Sequence, residues 1–182
     1  MHLSEHLASP SEAALSHSSE LNGLRLSPHF TLGEVTKSRH AEVYNIPSHV
    51  AIENLKRVCG WLEELRFTYN TLYCLKPGED YETSENVEPI VINSGYRSPE
   101  LNKKVGGSPT SNHLTGCAVD IRCVGVEQAI RYAAILLDTA DDRQEDFDEL
   151  LIERNRKGHY WVHFAVRPPS VGNRRKTMFL MK

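Results

Sequence analysis

Long apolar runs are missing from this sequence of 182 residues. No stretch approaches the roughly 18 apolar residues that a membrane-spanning helix needs, so we expect no membrane span. Cysteine is sparse too: there are four, with no C-x-x-C pair, which excludes a disulfide-dense fold and predicts reduced thiols. Net charge is small as well, because 21 Lys and Arg oppose 24 Asp and Glu to give −3. This balance provides no general attraction to nucleic acid, and we expect no nucleic-acid partner.

The residues that are present have the composition of a folded protein. Apolar residues make up 40% and charged residues 25% of the chain, which is typical of a globular domain. We expect one domain at residues 28–182, preceded by a loosely ordered lead-in at residues 1–27 that is rich in Ser, His and Glu. The first residues contain no basic region followed by an apolar stretch, so we expect no secretory signal and a cytoplasmic location.

Hydrophobic periodicity predicts helices in the first half of the chain and mostly strands in the second. Thr31 followed by Glu34 is a capping-box pattern that begins a short helix, and Ser48 caps a long helix with one apolar face. This order is typical of an α+β fold, in which helices pack on one face of a mainly antiparallel sheet. Strands are predicted at residues 89–93, 117–123, 147–153 and 160–166, with a second long helix at 126–138.

The densest cluster of chemically active side chains lies just before and within the second predicted strand. His113 precedes this strand, and Asp120 lies inside it on the face opposite the apolar residues, because side chains alternate along a strand. His163 lies in the middle of the last predicted strand, also on its less apolar face. Each residue alone is more often a packed or salt-bridged group than a ligand. Together, two histidines and one aspartate match the three protein ligands of a catalytic zinc site.

Two further residues can complete such a site. Arg97 follows a strand end and a glycine, so its planar guanidinium can reach into a cleft and bind a carboxylate, although most arginines are simply solvated. Glu153 closes the third predicted strand and approaches His163 if the last two strands pair. A general base beside a zinc-bound water is what peptide hydrolysis needs. The alternative for Glu153 is a strand-terminal carboxylate in solvent.

The chain from Arg167 onward is basic and is interrupted by proline and glycine. A nucleic-acid patch is one interpretation of these cations. Few aromatic residues lie between them, however, and the whole chain is acidic, so we expect a solvated tail instead.

These segments together resemble the zinc D-Ala-D-Ala carboxypeptidase family, whose relatives include phage endolysins that act as L-Ala-D-Glu endopeptidases. The resemblance covers the chain from about residue 28 to the C-terminus, and it implies a single α+β domain of the kind found in Hedgehog proteins and DD-peptidases. The segment from Ser111 to Asp120 fits the pattern S-x-H-x-x-G-x-A-x-D at every fixed position. Two other matching segments are Ser94-Gly95-Tyr96-Arg97-Ser98 and Trp161-Val162-His163. The resemblance also extends to Leu101-Asn102, to Val105-Gly106-Gly107 and to the segment from Pro28 to Glu34.

The resemblance implies roles for five of the matched residues. His113, Asp120 and His163 correspond to the residues that bind zinc in the family, so Zn²⁺ is the expected cofactor. Arg97 corresponds to an arginine that contacts the substrate. Ser111 is expected to orient a ligand or to touch the substrate.

The general base is less directly matched. Many family members have an acidic residue three positions before the last histidine ligand, where this sequence has Tyr160. Glu153 is then the better candidate, because it resembles the glutamate that ends the equivalent apolar strand in the branch with W-V-H. His159 is the alternative, either as an acid or as an oxyanion stabiliser.

The implied function is hydrolysis of a peptide bond in peptidoglycan stem peptides through a zinc-activated water, as a D-Ala-D-Ala carboxypeptidase or an L-Ala-D-Glu-type endopeptidase. The departure at Tyr160 leaves an alternative, a catalytically inactive zinc-containing module that binds peptidoglycan. Peptidoglycan lies outside the membrane, so a cytoplasmic protein of this kind would be released to the cell wall, as a phage or prophage lysis enzyme is.

Overall fold

The structure, a computed structural model, describes residues 21–181, in which the main elements follow the predicted order. The helices are α1 (Leu32–Thr36), α2 (His49–Tyr73), α3 (Pro99–Lys104) and α4 (Val126–Arg143), with a short 3-10 turn at Asn112–Thr115. The strands are β1 (Ile92–Ser94), β2 (Ala118–Cys123), β3 (Glu149–Arg154), β4 (Tyr160–Ala165) and β5 (Lys176–Met181).

Both predicted cap residues begin their helices. The Thr31 hydroxyl accepts a hydrogen bond from the amide of Glu34, and the Glu34 carboxylate accepts one from the amide of Thr31 at 2.7 Å, which completes the capping box. The Ser48 hydroxyl accepts a hydrogen bond from the amide of Ala51 at 3.2 Å. The apolar face of α2 is fully buried, as the periodicity predicts, at Leu55, Val58, Leu62 and Leu65.

The strands described between residues 21 and 181 form one sheet in the order β1-β2-β4-β3-β5. β5 runs parallel to β3, whereas the other neighbours are antiparallel. β3 and β4 form the antiparallel pair that the sequence predicts. The expected α+β domain with a mainly antiparallel sheet is therefore confirmed.

Alternation along the central strands gives the sheet an apolar face and a polar face. Val119 and Ile121 on β2 and Val162 and Phe164 on β4 are fully buried, and the two long helices, α2 and α4, pack on this face. The ring of Trp61 from α2 lies 5.4 Å from the ring of Phe164, measured between centroids. The residues between these apolar positions point to the opposite face of the sheet, where the candidate ligands lie.

Three predicted segments differ in the structure. β1 begins at Ile92 rather than at residue 89, and α4 continues beyond its predicted end at residue 138 to Arg143. The basic tail is not simply solvated, because Lys176–Met181 forms β5, and Arg174, two residues before this strand, bonds to Asp148. The sequence did not predict the pairing of β5 with β3 because β4 and its flanking loops lie between the two strands in the chain, so no local pattern connects them.

Most of the predicted lead-in, residues 1–20, lies outside the described residues. Leu26 is 8% exposed and packs in the core, and the amide of Leu32 donates a hydrogen bond to the carbonyl of Leu24 at 2.8 Å. The domain boundary at residue 28 stays a prediction. No helix in residues 21–181 is both long enough and apolar enough to cross a membrane.

Asp148 is a buried carboxylate that ties the tail to the sheet. It is 0% exposed, and Arg174 donates to both of its oxygens, at 2.8 and 2.7 Å. Arg167 approaches it at 3.0 Å, and the side-chain amide of Asn112 donates to it at 2.7 Å. Burial raises the pKa of Asp148, but these hydrogen bonds and charges outweigh that effect and lower it overall.

Replacing Asp148 with asparagine is expected to lower the free energy of unfolding at neutral pH by about 3 kcal/mol. Arg167 and Arg174 both lose the buried carboxylate, although Arg174 keeps its contact with Glu149. The lowered pKa means that this stabilisation is present above the unfolded-state pKa of about 3.9 and is lost as the pH falls through the folded-state value. Urea unfolding at neutral pH and at about pH 3 should therefore show a smaller difference between Asp148→Asn and wild type under acid. Asp138→Asn, an exposed change on α4, should alter stability by no more than about 0.5 kcal/mol. Equal effects of the two substitutions would contradict the buried-pair interpretation.

Candidate metal centre

The three predicted metal ligands come together on the polar face of the sheet. Asp120 on β2 and His163 on β4 are directly opposite each other, and His163 Nδ1 lies 2.9 Å from Asp120 Oδ1. His113 Nε2 lies 3.4 Å from the same oxygen, and one donor atom from each residue lies within 4.8 Å of the others. Two ligands of a tetrahedral zinc ion, each 2.0–2.1 Å from the metal, are about 3.3 Å apart. The donor separations therefore fit a zinc site.

His113 is positioned by the 3-10 turn and by two close backbone approaches. The Ser111 hydroxyl caps the turn and accepts a hydrogen bond from the amide of His113 at 3.3 Å. Gly116 ends the turn with φ of 73°, and a Cβ there would lie 2.4 Å from the carbonyl oxygen of Ala51. His113 Nδ1 lies 2.6 Å from the carbonyl oxygen of Gly95, which can only accept a proton. The Nδ1 proton is thus committed to the backbone, and Nε2 keeps its lone pair for a metal.

His163 is oriented by Glu149, which the sequence reasoning missed. His163 Nε2 lies 3.4 Å from Glu149 Oε2, so Nδ1 faces Asp120. Glu149 in turn contacts Lys176 at 3.2 Å and Arg174 at 3.0 Å. Its pKa is lowered to about 2, chiefly by the hydrogen bond with His163, with a further contribution from Lys176, although burial opposes the shift. The only signal in the sequence is strand alternation, which places Glu149 on the same face as Glu153.

The electrostatics of the group keep its carboxylate ionised. Burial raises the pKa of Asp120, but His113 and His163 outweigh that effect and hold it well below its usual value. Burial lowers the pKa of His163, but Asp120 and Glu149 outweigh it and raise the pKa to about 9. Arg97 Nη2 donates to the other oxygen of Asp120 at 2.6 Å. An ionised carboxylate and two oriented imidazoles form a donor set suited to zinc.

Glu153 lies beside this group, whereas His159 lies at a distance from it. Glu153 is 2% exposed and faces Trp161 across the β3–β4 pair, so it is not the solvent-facing strand end of the alternative interpretation. It is the diagonal neighbour of His163, at about 7–8 Å between backbone positions, and its charge helps to raise the pKa of that histidine. His159 is exposed and precedes His163 by four residues, which is about 13 Å along a strand.

A cleft of about 870 Å³ opens beside the candidate ligands, and Arg97 lies where the two meet. The Arg97 Nε donates to the Ser94 hydroxyl at 2.9 Å, and Ser94 is paired with Asp120 across the β1–β2 ladder. His159 also lines this cleft. Ser111 instead lines a separate cavity of about 280 Å³. The structure thus places Arg97 between cleft and ligands, while Ser111 supports the turn that carries His113.

Two histidines and one aspartate on the polar face of a sheet, with a buried glutamate as neighbour, form the kind of three-ligand site found in zinc hydrolases. A family model described as Peptidase M15 matches residues 79–163, which include Arg97, Glu153 and all three candidate ligands. Over this segment the chain matches the peptidase M15 family of D-Ala-D-Ala carboxypeptidase-like metallopeptidases, and the family predicted from the sequence is confirmed for these residues. A comparison with curated proteins finds no match.

Proposed function

We propose that the protein is a zinc-dependent peptidase that hydrolyses a peptide bond in peptidoglycan stem peptides. The observation that carries this proposal is the convergence of His113, Asp120 and His163 at zinc-like separations beside the buried Glu153. The match to a D-Ala-D-Ala carboxypeptidase-like family over residues 79–163 supports a stem peptide as substrate. The scissile bond is either the terminal D-Ala-D-Ala bond or an L-Ala-D-Glu-type bond.

Each neighbouring side chain has a defined part in this proposal. A zinc ion held by the three ligands would supply a Lewis acid for the scissile carbonyl and would acidify a water molecule. Glu153 accepts the proton of the attacking water and passes it to the leaving amine. Arg97, at the border of the cleft, binds a carboxylate or carbonyl of the peptide. Gly95 and Glu149 keep the two histidine rings in the orientation that binding requires.

The position of Tyr160 supports an active enzyme rather than an inactive binding module. Tyr160 alternates with the site-facing residues of β4 and packs against the core. The carboxylate that this position lacks is supplied by Glu153, which does lie on the site-facing side of β3. The departure at Tyr160 therefore does not leave the site without a general base.

The test combines metal content with turnover. The purified protein is expected to hold about one zinc per chain and to cleave isolated muropeptides. A chelator should abolish cleavage, and added zinc should restore it. Mass spectrometry of the products identifies the bond, because release of D-Ala indicates a carboxypeptidase and separation of L-Ala from D-Glu indicates an endopeptidase. Zinc binding without cleavage of any muropeptide would favour the inactive module, and failure to bind zinc after reconstitution would refute both functions.

A further inference from the structure

The cleft beside the candidate metal centre is lined by several basic side chains. Among residues 21–181, no aspartate or glutamate lines it. The chain as a whole, by contrast, has a net charge of −3. A cleft lined by one sign of charge concentrates ligands of the opposite sign. The basic residues of its walls are Lys37, Arg39, His40, Arg97, Arg122 and His159.

Three of these cations are not used to hold the fold together. Lys37, Arg39 and Arg122 are exposed, and within the described part of the chain none of them forms an ion pair. Arg97 differs, because it bonds to Asp120. A cation that lines a cleft without a protein partner is available to a bound anion.

Arg122 connects the basic walls to the candidate metal centre. It lies on β2 two residues after Asp120, so it projects from the same face of the sheet. Across the β2–β4 ladder it is paired with Trp161, which also lines the cleft. Lys37 and Arg39 come from the segment that follows α1. Positive charge therefore extends from the candidate ligands along the cleft.

We propose that Lys37, Arg39 and Arg122 form an anion-binding subsite that selects peptides carrying free carboxylates beyond the scissile amide itself. This inference rests on the proposed function, and it specifies that the peptide bound in the cleft carries negative charge. Guanidinium groups bind carboxylates through paired hydrogen bonds, and the lysine adds a point charge. A stem peptide with free D-Glu and diaminopimelate carboxylates would pair these cations. The same peptide with those groups amidated would leave them unpaired.

The test measures binding of two peptides that differ only in charge. The probes are the fluorescent pentapeptide L-Ala-γ-D-Glu-diaminopimelyl-D-Ala-D-Ala, which contains both candidate scissile bonds, and the same peptide with its D-Glu and diaminopimelate carboxylates amidated. Fluorescence anisotropy is recorded with the full chain after chelation, so that no peptide is consumed. The acidic peptide is expected to bind about tenfold more tightly at low salt, with a smaller preference at about 0.5 M salt.

Substitutions of the proposed subsite locate the effect. Arg39→Gln and Arg122→Gln are each expected to reduce the preference about threefold, and the double substitution should nearly remove it. Lys103→Gln changes an exposed cation on α3 that does not line the cleft, so it should keep the preference. Thermal unfolding of each variant verifies that the fold is retained. In the zinc-loaded enzyme, the subsite substitutions should raise KM for the acidic peptide.

Several results would overturn the subsite. The first is equal binding of the two peptides by the wild-type protein. The second is a double variant that still prefers the acidic peptide as strongly as wild type does. The third is a single-stranded oligonucleotide of the same charge that competes for the cleft as well as the acidic peptide does. The proposed function fails separately. Zinc-dependent cleavage of both peptides without any preference would refute the subsite and leave the peptidase assignment intact. Preferential binding without cleavage of either peptide would refute the peptidase assignment and support the subsite.

Discussion

Glu153→Gln is expected to reduce kcat on stem peptides by about 10²- to 10⁴-fold while the protein still binds zinc. Glutamine keeps the volume of the buried side chain but cannot accept a proton from water. Zinc binding should persist because Glu153 is not one of the three converging ligands. The measurements are the initial rate of muropeptide cleavage and the zinc content by elemental analysis.

Two further substitutions make the Glu153 result specific. Glu145→Gln changes an exposed glutamate after α4 and should leave the rate unchanged. His159→Gln should cost far less than Glu153→Gln, because His159 lies about 13 Å along the strand from His163. Full activity of Glu153→Gln would remove that residue from the mechanism. A large loss in His159→Gln alone would assign the proton transfer to the histidine.

The sequence was sufficient for the features that depend on local signals. The Thr31 capping box, the apolar face of α2 and the side of β2 that carries Asp120 each follow from a few neighbouring residues. The segment from Ser111 to Asp120 also predicts a loop followed by a strand, and the structure places His113 in a 3-10 turn and Asp120 on β2. The grouping of these two residues with His163 rests on strand alternation and the family resemblance, and the structure brings one donor atom of each within 4.8 Å of the others.

The features that the sequence did not predict depend on pairing between distant segments. The role of Glu149 requires the register of β3 against β4, which sets Leu151 opposite His163 and places Glu149 beside it. The parallel pairing of β5 with β3 brings the basic tail to Asp148 and Glu149, and no local sequence pattern predicts this pairing. The basic cleft joins a segment after α1 to β2, so its charge is visible only once the chain is folded.

The two histidines are held by different devices that achieve the same result. His113 is fixed by a backbone carbonyl, which the close approach of Gly95 to α1 makes possible, since a Cβ there would lie 2.3 Å from the Val35 carbonyl oxygen. His163 is fixed by a carboxylate, Glu149, that is itself held by Lys176. In both rings, the nitrogen that faces Asp120 is therefore the one that would bind a metal ion. The charge on Asp120 is thus the common element of the group.

Asp120→Asn is expected to lose bound zinc and peptidase activity together. The amide has nearly the shape of the carboxylate, but it removes the negative charge shared by His113, His163 and Arg97. Activity should fall about 10³-fold or more, because loss of the metal removes several kcal/mol of transition-state stabilisation. Elemental analysis, zinc titration and the muropeptide assay measure both losses on one preparation.

Glu149→Gln is a comparison for Asp120→Asn that should weaken zinc binding without abolishing it. It changes a residue that contacts His163 on the side away from Asp120, so zinc affinity should fall about 10- to 100-fold rather than disappear. Excess zinc should then restore the activity of Glu149→Gln, whereas it should not restore that of Asp120→Asn. Thermal unfolding of both variants separates loss of metal from loss of fold. If Asp120→Asn retains zinc at wild-type affinity, the metal is bound elsewhere and the His113, Asp120 and His163 assignment is wrong.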